Sequence, residues 1–212
     1  MRSAFRLTGA LLVALATGAC ASGGTPSARV APQAVPTPRP PSPAHIRFMS
    51  EMIGHHAQAL VMARMAPGNG ASPSVQTLAG RIINAQQDEI RIMQVWLRDH
   101  GQPVPTVDST GVVQAAGGHD HGQHLMPGML TPEQLAELEQ ANGTDFDTKF
   151  LRYMIQHHRG AVSMVEQLFA DPGPNPDDTV FKLASDINAD QLTEIERMRR
   201  MLASITIGIQ AP

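Results

Sequence analysis

The sequence is poor in cysteine, in aromatic residues and in excess charge of either sign. Cys20 is the only cysteine among 212 residues, which excludes an internal disulfide framework and a multi-cysteine metal site. Aromatic residues make up 4% of the chain, and acidic residues outnumber basic ones by 19 to 16. A mildly acidic, aromatic-poor chain lacks the basic surface that nucleic-acid binding requires, so we expect no nucleic-acid partner. Stability must come from packing or from a metal held by other donors.

Residues 1–19 are typical of an export signal. Two arginines precede an apolar run over residues 7–16, which is too short for a permanent transmembrane helix. Small residues directly before Cys20 resemble the lipobox of bacterial lipoproteins, although Thr17 stands where leucine is usual. We therefore expect a protein in the periplasm or on the outer cell surface, attached to a membrane through lipidated Cys20. An ordinary signal peptide cleaved at a nearby alanine is the alternative.

The remaining chain divides into a tether and one helical domain. Residues 20–43 are rich in proline, alanine and serine, a composition typical of an extended and unpacked tether. A folded domain is predicted over residues 44–206, because apolar residues there follow helical spacing. It comprises a first repeat (45–101), a histidine-rich loop with a short helix (102–143) and a second repeat (144–206). The predicted long helices cover 45–66, 74–100, 145–170 and 178–205, and a capping box at Thr131–Gln134 starts the short one.

One histidine–methionine pattern occurs twice, about a hundred residues apart. The first copy contains Phe48, Met52, Ile53, His55, His56, Ala59 and Met62, and the second contains Phe150, Met154, Ile155, His157, His158, Ala161 and Met164. The helices that follow are also copies, in which Ile82, Gln86, Glu89, Ile90, Met93 and Leu97 correspond to Ile187, Gln191, Glu194, Ile195, Met198 and Leu202. The repeating unit is thus a helical hairpin. Because one hairpin cannot bury its apolar face alone, the repeat predicts an all-α, antiparallel four-helix bundle with a short extra helix in the middle connection.

The spacing within each copy places soft and borderline metal donors on one helix face. Met52, His55 and Met62 share a face, and the second copy repeats the arrangement. A single core histidine is more often satisfied by a carbonyl or carboxylate, but two His-His pairs flanked by methionines favour metal ligation. Thioethers select Cu(I) and imidazoles accept Cu(II) or zinc, so we predict copper, with zinc as the second choice. The predicted ligands are Met52, His55, His56, Met62, Met154, His157, His158 and Met164.

The partner helices and the middle loop carry further candidate donors. Methionine at helical spacing is more often core filling than a ligand, although for Met93 and Met198 packing and ligation are equally compatible with the pattern. Glutamine and glutamate side chains on an otherwise apolar helix face need polar partners. They could donate or accept hydrogen bonds to the imidazoles, or bind the metal themselves. These candidates are Met93, Met198, Glu89 and Glu194, with Gln86 and Gln191 beside them. In the loop, His119, His121 and His124 could capture Cu(II) or zinc, or be incidental residues of a solvated loop. The isolated His45 and His100 are expected at the surface or at helix ends.

Three functions are compatible with these donors. A di-iron oxidase is not among them. It needs glutamate three residues before a histidine on two helices, and Met52 and Met154 occupy those positions instead. The first function is copper binding, either for sequestration or for handover to an envelope copper transporter or chaperone. The second is a metal-dependent redox enzyme of the cuprous oxidase type, and the third is a structural lipoprotein without metal. No residue other than the proposed ligands stands out as a general base or nucleophile, which favours binding and leaves enzymatic activity undecided.

The two Met-x-x-His-His-x-x-Ala elements resemble domain-of-unknown-function family 305. The resemblance covers residues 45–205 and includes the stretch 126–134, which is similar to the family's segment before the short middle helix. It implies an exported, ferritin-like helical bundle and copper capture in the cell envelope. Met52, His55, His56, Met62 and their counterparts in the second copy would then be the ligands.

Overall fold

The computed structural model describes residues 40–107, 113–114 and 125–208. These residues are helical apart from one short pair of strands, which confirms the all-α prediction. The elements are α1 (Pro43–Arg64), α2 (Pro73–Asp99), β1 (Thr106–Val107), β2 (Val113–Gln114), α3 (Pro132–Gln140), α4 (Gly143–Ala170) and α5 (Asp178–Thr206). Within the described ranges, no helix is both long and apolar enough to cross a membrane.

Local sequence signals explain where the helices begin. Proline stands in the first turn of α1, α2 and α3, where its missing N–H costs no hydrogen bond. Ser42 caps α1, because its Oγ accepts a hydrogen bond from the His45 backbone N–H at 3.2 Å. The predicted capping box is present at α3, where Gln134 N donates to Thr131 Oγ1 and Thr131 N donates to Gln134 Oε1.

The four long helices form two hairpins that pack together through their first helices. α1 packs on α2, α4 packs on α5, and α1 packs on α4. Ser42 Oγ donates to Pro172 O at 2.9 Å beside one end of this helix pair, and Gly143 N donates to Asn69 O at 2.9 Å beside the other. α1 and α4 are therefore antiparallel, and the middle of one lies against the middle of the other.

The buried apolar residues form two clusters rather than one. The first cluster includes Met62, Met154 and Met198 with Phe146 and Phe150. The second includes Met52, Met93 and Met164 with Trp96 and Leu97. On both α1 and α4, the histidine pair lies where the helix passes from one cluster to the other. The polar histidines thus separate two methionine-containing halves of the core.

One feature, a short strand pair, differs from the predictions. The segment predicted as a plain loop contains β1 and β2, which pair antiparallel with Thr106 opposite Gln114. Strands of two residues are too short to show an alternating pattern in the sequence. His45, expected at the surface or a helix end, lies in the first turn of α1 as the second of these alternatives states, and its side chain is fully buried, edge-on to the Phe181 ring.

Candidate metal centre

The structure brings the four histidines of the repeated pattern together at the α1–α4 contact. All four side chains, His55, His56, His157 and His158, are fully buried. The rings of His55 and His157 are nearest to each other, with centroids 3.9 Å apart. Within each pair, the ring centroids are 6.4 Å apart on α1 and 6.3 Å apart on α4. We call these four residues the histidine layer.

Backbone carbonyls determine the tautomers of the two central histidines. His157 Nε2 lies 2.9 Å from the carbonyl oxygen of His55, and His55 Nε2 lies 2.9 Å from that of Pro127. A carbonyl oxygen can only accept, so Nε2 carries the proton in both rings and Nδ1 carries a lone pair. Neither Nδ1 has a hydrogen-bond partner within the described part of the chain. Both atoms are thus free to bind a metal.

The outer two histidines contact glutamates from the partner helices. His158 Nε2 donates a hydrogen bond to Glu194 Oε2 at 2.6 Å. His56 Nε2 lies 2.7 Å from Glu89 Oε2, a close contact that lacks the alignment of a hydrogen bond. A carboxylate on Nε2 orients an imidazole and raises the basicity of its other nitrogen. Nδ1 of both outer rings is also without a partner among residues 40–107, 113–114 and 125–208.

Burial keeps the central imidazoles neutral. Burial lowers the pKa of His55 to about 3, and the nearby His56 and His158 lower it as well, against the hydrogen bond to Pro127. Burial likewise places the pKa of His157 well below its ordinary value of 6.5, with further lowering by the other three histidines. A neutral imidazole is the form that binds a metal, so His55 and His157 are ready to ligate near neutral pH.

The imidazoles and carboxylates do not by themselves form a complete metal site. In the described ranges, no three histidine, aspartate or glutamate side chains are grouped so that they could hold one metal ion. The predicted methionine donors lie on the same four long helices and are also buried, namely Met52, Met62, Met154, Met164, Met93 and Met198. A metal at this layer would therefore need thioether ligands, a small movement of the imidazoles, or both.

Other predicted donors lie elsewhere. Cys20 and the loop histidines His119, His121 and His124 lie outside the described residues. His100 is at the end of α2, where its Nδ1 contacts Trp96 O at 2.8 Å. This position at a helix end is the one that the sequence predicted for His100.

Sequence reasoning missed the backbone segment that covers the histidine layer. Residues 125–131, which we call the strap, cross α4 at Gly160, where an added Cβ would lie 1.8 Å from Pro127 O. Gly128 has a φ of +75°, and an added Cβ there would lie 2.5 Å from Gln156 O of α4. Gln58 fixes the strap from α1, because its side chain bonds both N and O of Leu130. The feature of the sequence that could have indicated this crossing is Gly160, an isolated glycine inside a helical pattern.

Comparisons with known proteins assign the family. Residues 45–202 match the model of a family described as a domain of unknown function, DUF305. The chain belongs to the DUF305 family. No curated protein matches it significantly.

Several solved structures share the fold. A DUF305 fragment from Deinococcus radiodurans is 31% identical with a TM-score of 0.62, and the match covers 78% of this chain and 99% of the fragment. A DUF305 protein from Streptomyces coelicolor is 24% identical with a TM-score of 0.63, covering 80% and 96%. CopM in its Cu(II)-bound form is 30% identical with a TM-score of 0.58, covering 76% and 96%. CopM has also been solved in Cu(I)-bound, silver-bound and apo forms.

Proposed function

We propose that this DUF305 protein binds copper in the cell envelope, for sequestration or for handover. The observation that carries the proposal is the histidine layer, in which four buried imidazoles each present an unpartnered Nδ1 within the described part of the chain. The similarity to CopM, which was solved with Cu(I), Cu(II) and silver, supports the choice of metal. Buried nitrogen lone pairs without partners are costly unless a ligand uses them.

The chemistry of the donors favours a soft or borderline ion. His55, His56, His157 and His158 would ligate through Nδ1, while oxygens beside Nε2 hold the rings in place. The methionines of the two clusters would add thioether sulfur, which selects Cu(I), and imidazole alone would also accept Cu(II) or zinc. These sulfur ligands are Met52, Met62, Met154 and Met164, with Met93 and Met198 as further candidates.

In this proposal the two glutamates position the imidazoles instead of binding the metal. Glu89 and Glu194 already contact Nε2 of His56 and His158. A carboxylate there stabilises the partial positive charge that a ring acquires when its Nδ1 binds a cation. Replacing either glutamate would weaken copper binding without removing a ligand.

The N-terminal segment would place this site outside the cytoplasm. We propose that residues 1–19 direct export, that Cys20 is lipidated and that residues 20–43 tether the domain to a membrane. An envelope copper transporter or chaperone would then be the natural partner for exchange.

Metal titration of histidine variants tests the proposal. The purified chain is titrated with Cu(I), Cu(II) and Zn(II) beside the double variant His55→Gln/His157→Gln, in which glutamine keeps a side-chain N–H donor. We expect the variant to lose at least one equivalent of tightly bound Cu(I). His45→Gln is the matched control, because it also removes a buried imidazole from α1, but away from the layer.

A variant of the loop histidines tests the alternative site for copper. A triple variant with His119, His121 and His124 changed to alanine should retain the tight Cu(I) equivalent. Loss of all copper in that variant, with none lost in the double variant, would move the site to the loop and contradict the proposal.

A further inference from the structure

A cleft of about 240 Å³ opens between α2 and α5. The residues that give it its chemical character are Glu89, Asp190, Glu194, Gln86 and Gln191, with Arg81 and Arg197 also on its walls. The three carboxylates come from both helices. Burial raises the pKa of Asp190, and the negative charges of Glu89 and Glu194 raise it further, so the three groups share one electrostatic environment.

Two buried amides on the cleft wall have polar atoms without hydrogen-bond partners in the described part of the chain. Gln86 is 1% exposed, and neither its Oε1 nor its Nε2 has a hydrogen-bond partner among the described residues. Gln191 is 2% exposed, and its Oε1 is likewise unpartnered there. Apolar side chains would fill these positions at lower cost, so the amides indicate that something polar occupies the cleft.

The cleft connects to the histidine layer through its own carboxylates. Glu89 and Glu194 line the cleft, and each has an oxygen in contact with an imidazole Nε2, at 2.7 Å for His56 and 2.6 Å for His158. A cation in the cleft would therefore be bound by groups that touch the outer histidines.

The opposite face of the layer has the wrong charge for a cation. A shallow depression there is lined by Arg152 and Arg159 and by the strap residues Pro127 and Gly128, with no carboxylate on its walls. Positive charge repels an incoming copper ion, and the strap covers His55 on that side.

We infer that copper ions reach the histidine layer through the α2–α5 cleft. Asp190 attracts the cation at the exposed rim, the amide oxygens of Gln86 and Gln191 replace part of its water shell, and Glu89 and Glu194 lead it to the imidazoles. This route rests on the proposed function, and it adds the residues that control the rate of uptake.

Stopped-flow mixing with Cu(II) tests the route. Quenching of Trp96, the only tryptophan, reports uptake by the purified chain. Asp190→Lys should slow uptake by about tenfold at low salt, since a charged cleft raises cation on-rates by one to three orders of magnitude. The difference should shrink at high salt, where charges are screened beyond a few ångströms. Bound Cu(II) per chain at equilibrium should not change.

Two variants on α4 serve as controls. Glu166→Lys makes the same change in net charge at an exposed position outside the cleft, and it should alter the uptake rate less than twofold. Arg159→Glu cancels the net positive charge of the opposite depression, because only Arg152 then remains to balance the new carboxylate, and it too should have less than a twofold effect.

The outcomes separate the route from the function. Equal slowing by Asp190→Lys and Glu166→Lys, no slowing by either, or a marked acceleration by Arg159→Glu would overturn the route while leaving copper binding intact. Absence of any copper uptake by the parent chain would overturn the proposed function, and the route with it.

Discussion

Gly160→Ala should displace the strap from the histidine layer. A Cβ on Gly160 would lie 1.8 Å from Pro127 O and 2.5 Å from Pro127 C, whereas real contacts of a Cβ essentially never fall below 3.0 Å. The strap must therefore move by more than an ångström, and the hydrogen bond from His55 Nε2 to Pro127 O is lost. An unpaired buried N–H costs about 1–3 kcal/mol, and forcing the backbone apart costs a similar amount. Alanine recovers about 1 kcal/mol of helix propensity.

The expected net effect is a loss of about 1–5 kcal/mol in the free energy of unfolding, measured by urea denaturation of the metal-free protein. Gly80→Ala in α2 is the matched control, since nothing lies within 4 Å of the added Cβ. That substitution should raise stability by about 0.5–1 kcal/mol through helix propensity alone. If Gly160→Ala were as stabilising as Gly80→Ala, the close approach of the strap to α4 would be refuted.

Three other changes have defined outcomes. The depressed pKa values of His55 and His157 mean that both rings stay neutral in the folded protein but gain protons on unfolding below pH 6.5. The free energy of unfolding should therefore fall, by about 1.4 kcal/mol per pH unit for each ring, as the pH drops below 6.5. A flat stability profile between pH 7 and pH 5 would contradict this. Gln86→Leu should raise the unfolding free energy of the metal-free protein by about 1–2 kcal/mol, since it removes an unpartnered buried amide. It should also slow copper uptake. A destabilised variant would show that the amide is satisfied in the folded protein. Asn69→Ala should lower the free energy of unfolding by about 1–2 kcal/mol, because Asn69 Nδ2 donates to the carbonyls of Glu139 and Ala141 at 2.7 Å. The melting temperature should fall accordingly, and an unchanged melting temperature would refute that role.

Most of the helical architecture could be predicted from the sequence, because the signals are local. Proline in the first helical turn and the Thr131–Gln134 capping box mark helix starts, and apolar spacing marks the lengths. The long helices begin and end within two residues of their predicted bounds. The internal repeat indicated two hairpins, since equivalent residues occur at equivalent helical positions.

The candidate site was only partly predictable, because its decisive contacts join residues distant in the chain. The pattern indicated that His55 and His157 face inward, but the sequence did not show that one imidazole would bond the other's backbone carbonyl. Nor did it show that the repeat symmetry is broken. Gly160 stands where the first copy has Gln58, and this difference allows the strap to cross α4 and to be held from α1. Such asymmetry depends on tertiary packing and not on helical periodicity.

The identity of the atoms that bind copper is the most direct test of the histidine layer as the metal site. X-ray absorption at the copper edge of the Cu(I)-loaded chain reports the ligand atoms themselves. We predict imidazole nitrogen together with thioether sulfur in the parent chain, and fewer imidazole ligands per copper ion in the His55→Gln/His157→Gln variant. A spectrum without sulfur, unchanged by that double substitution, would contradict the assignment of copper to the histidine layer.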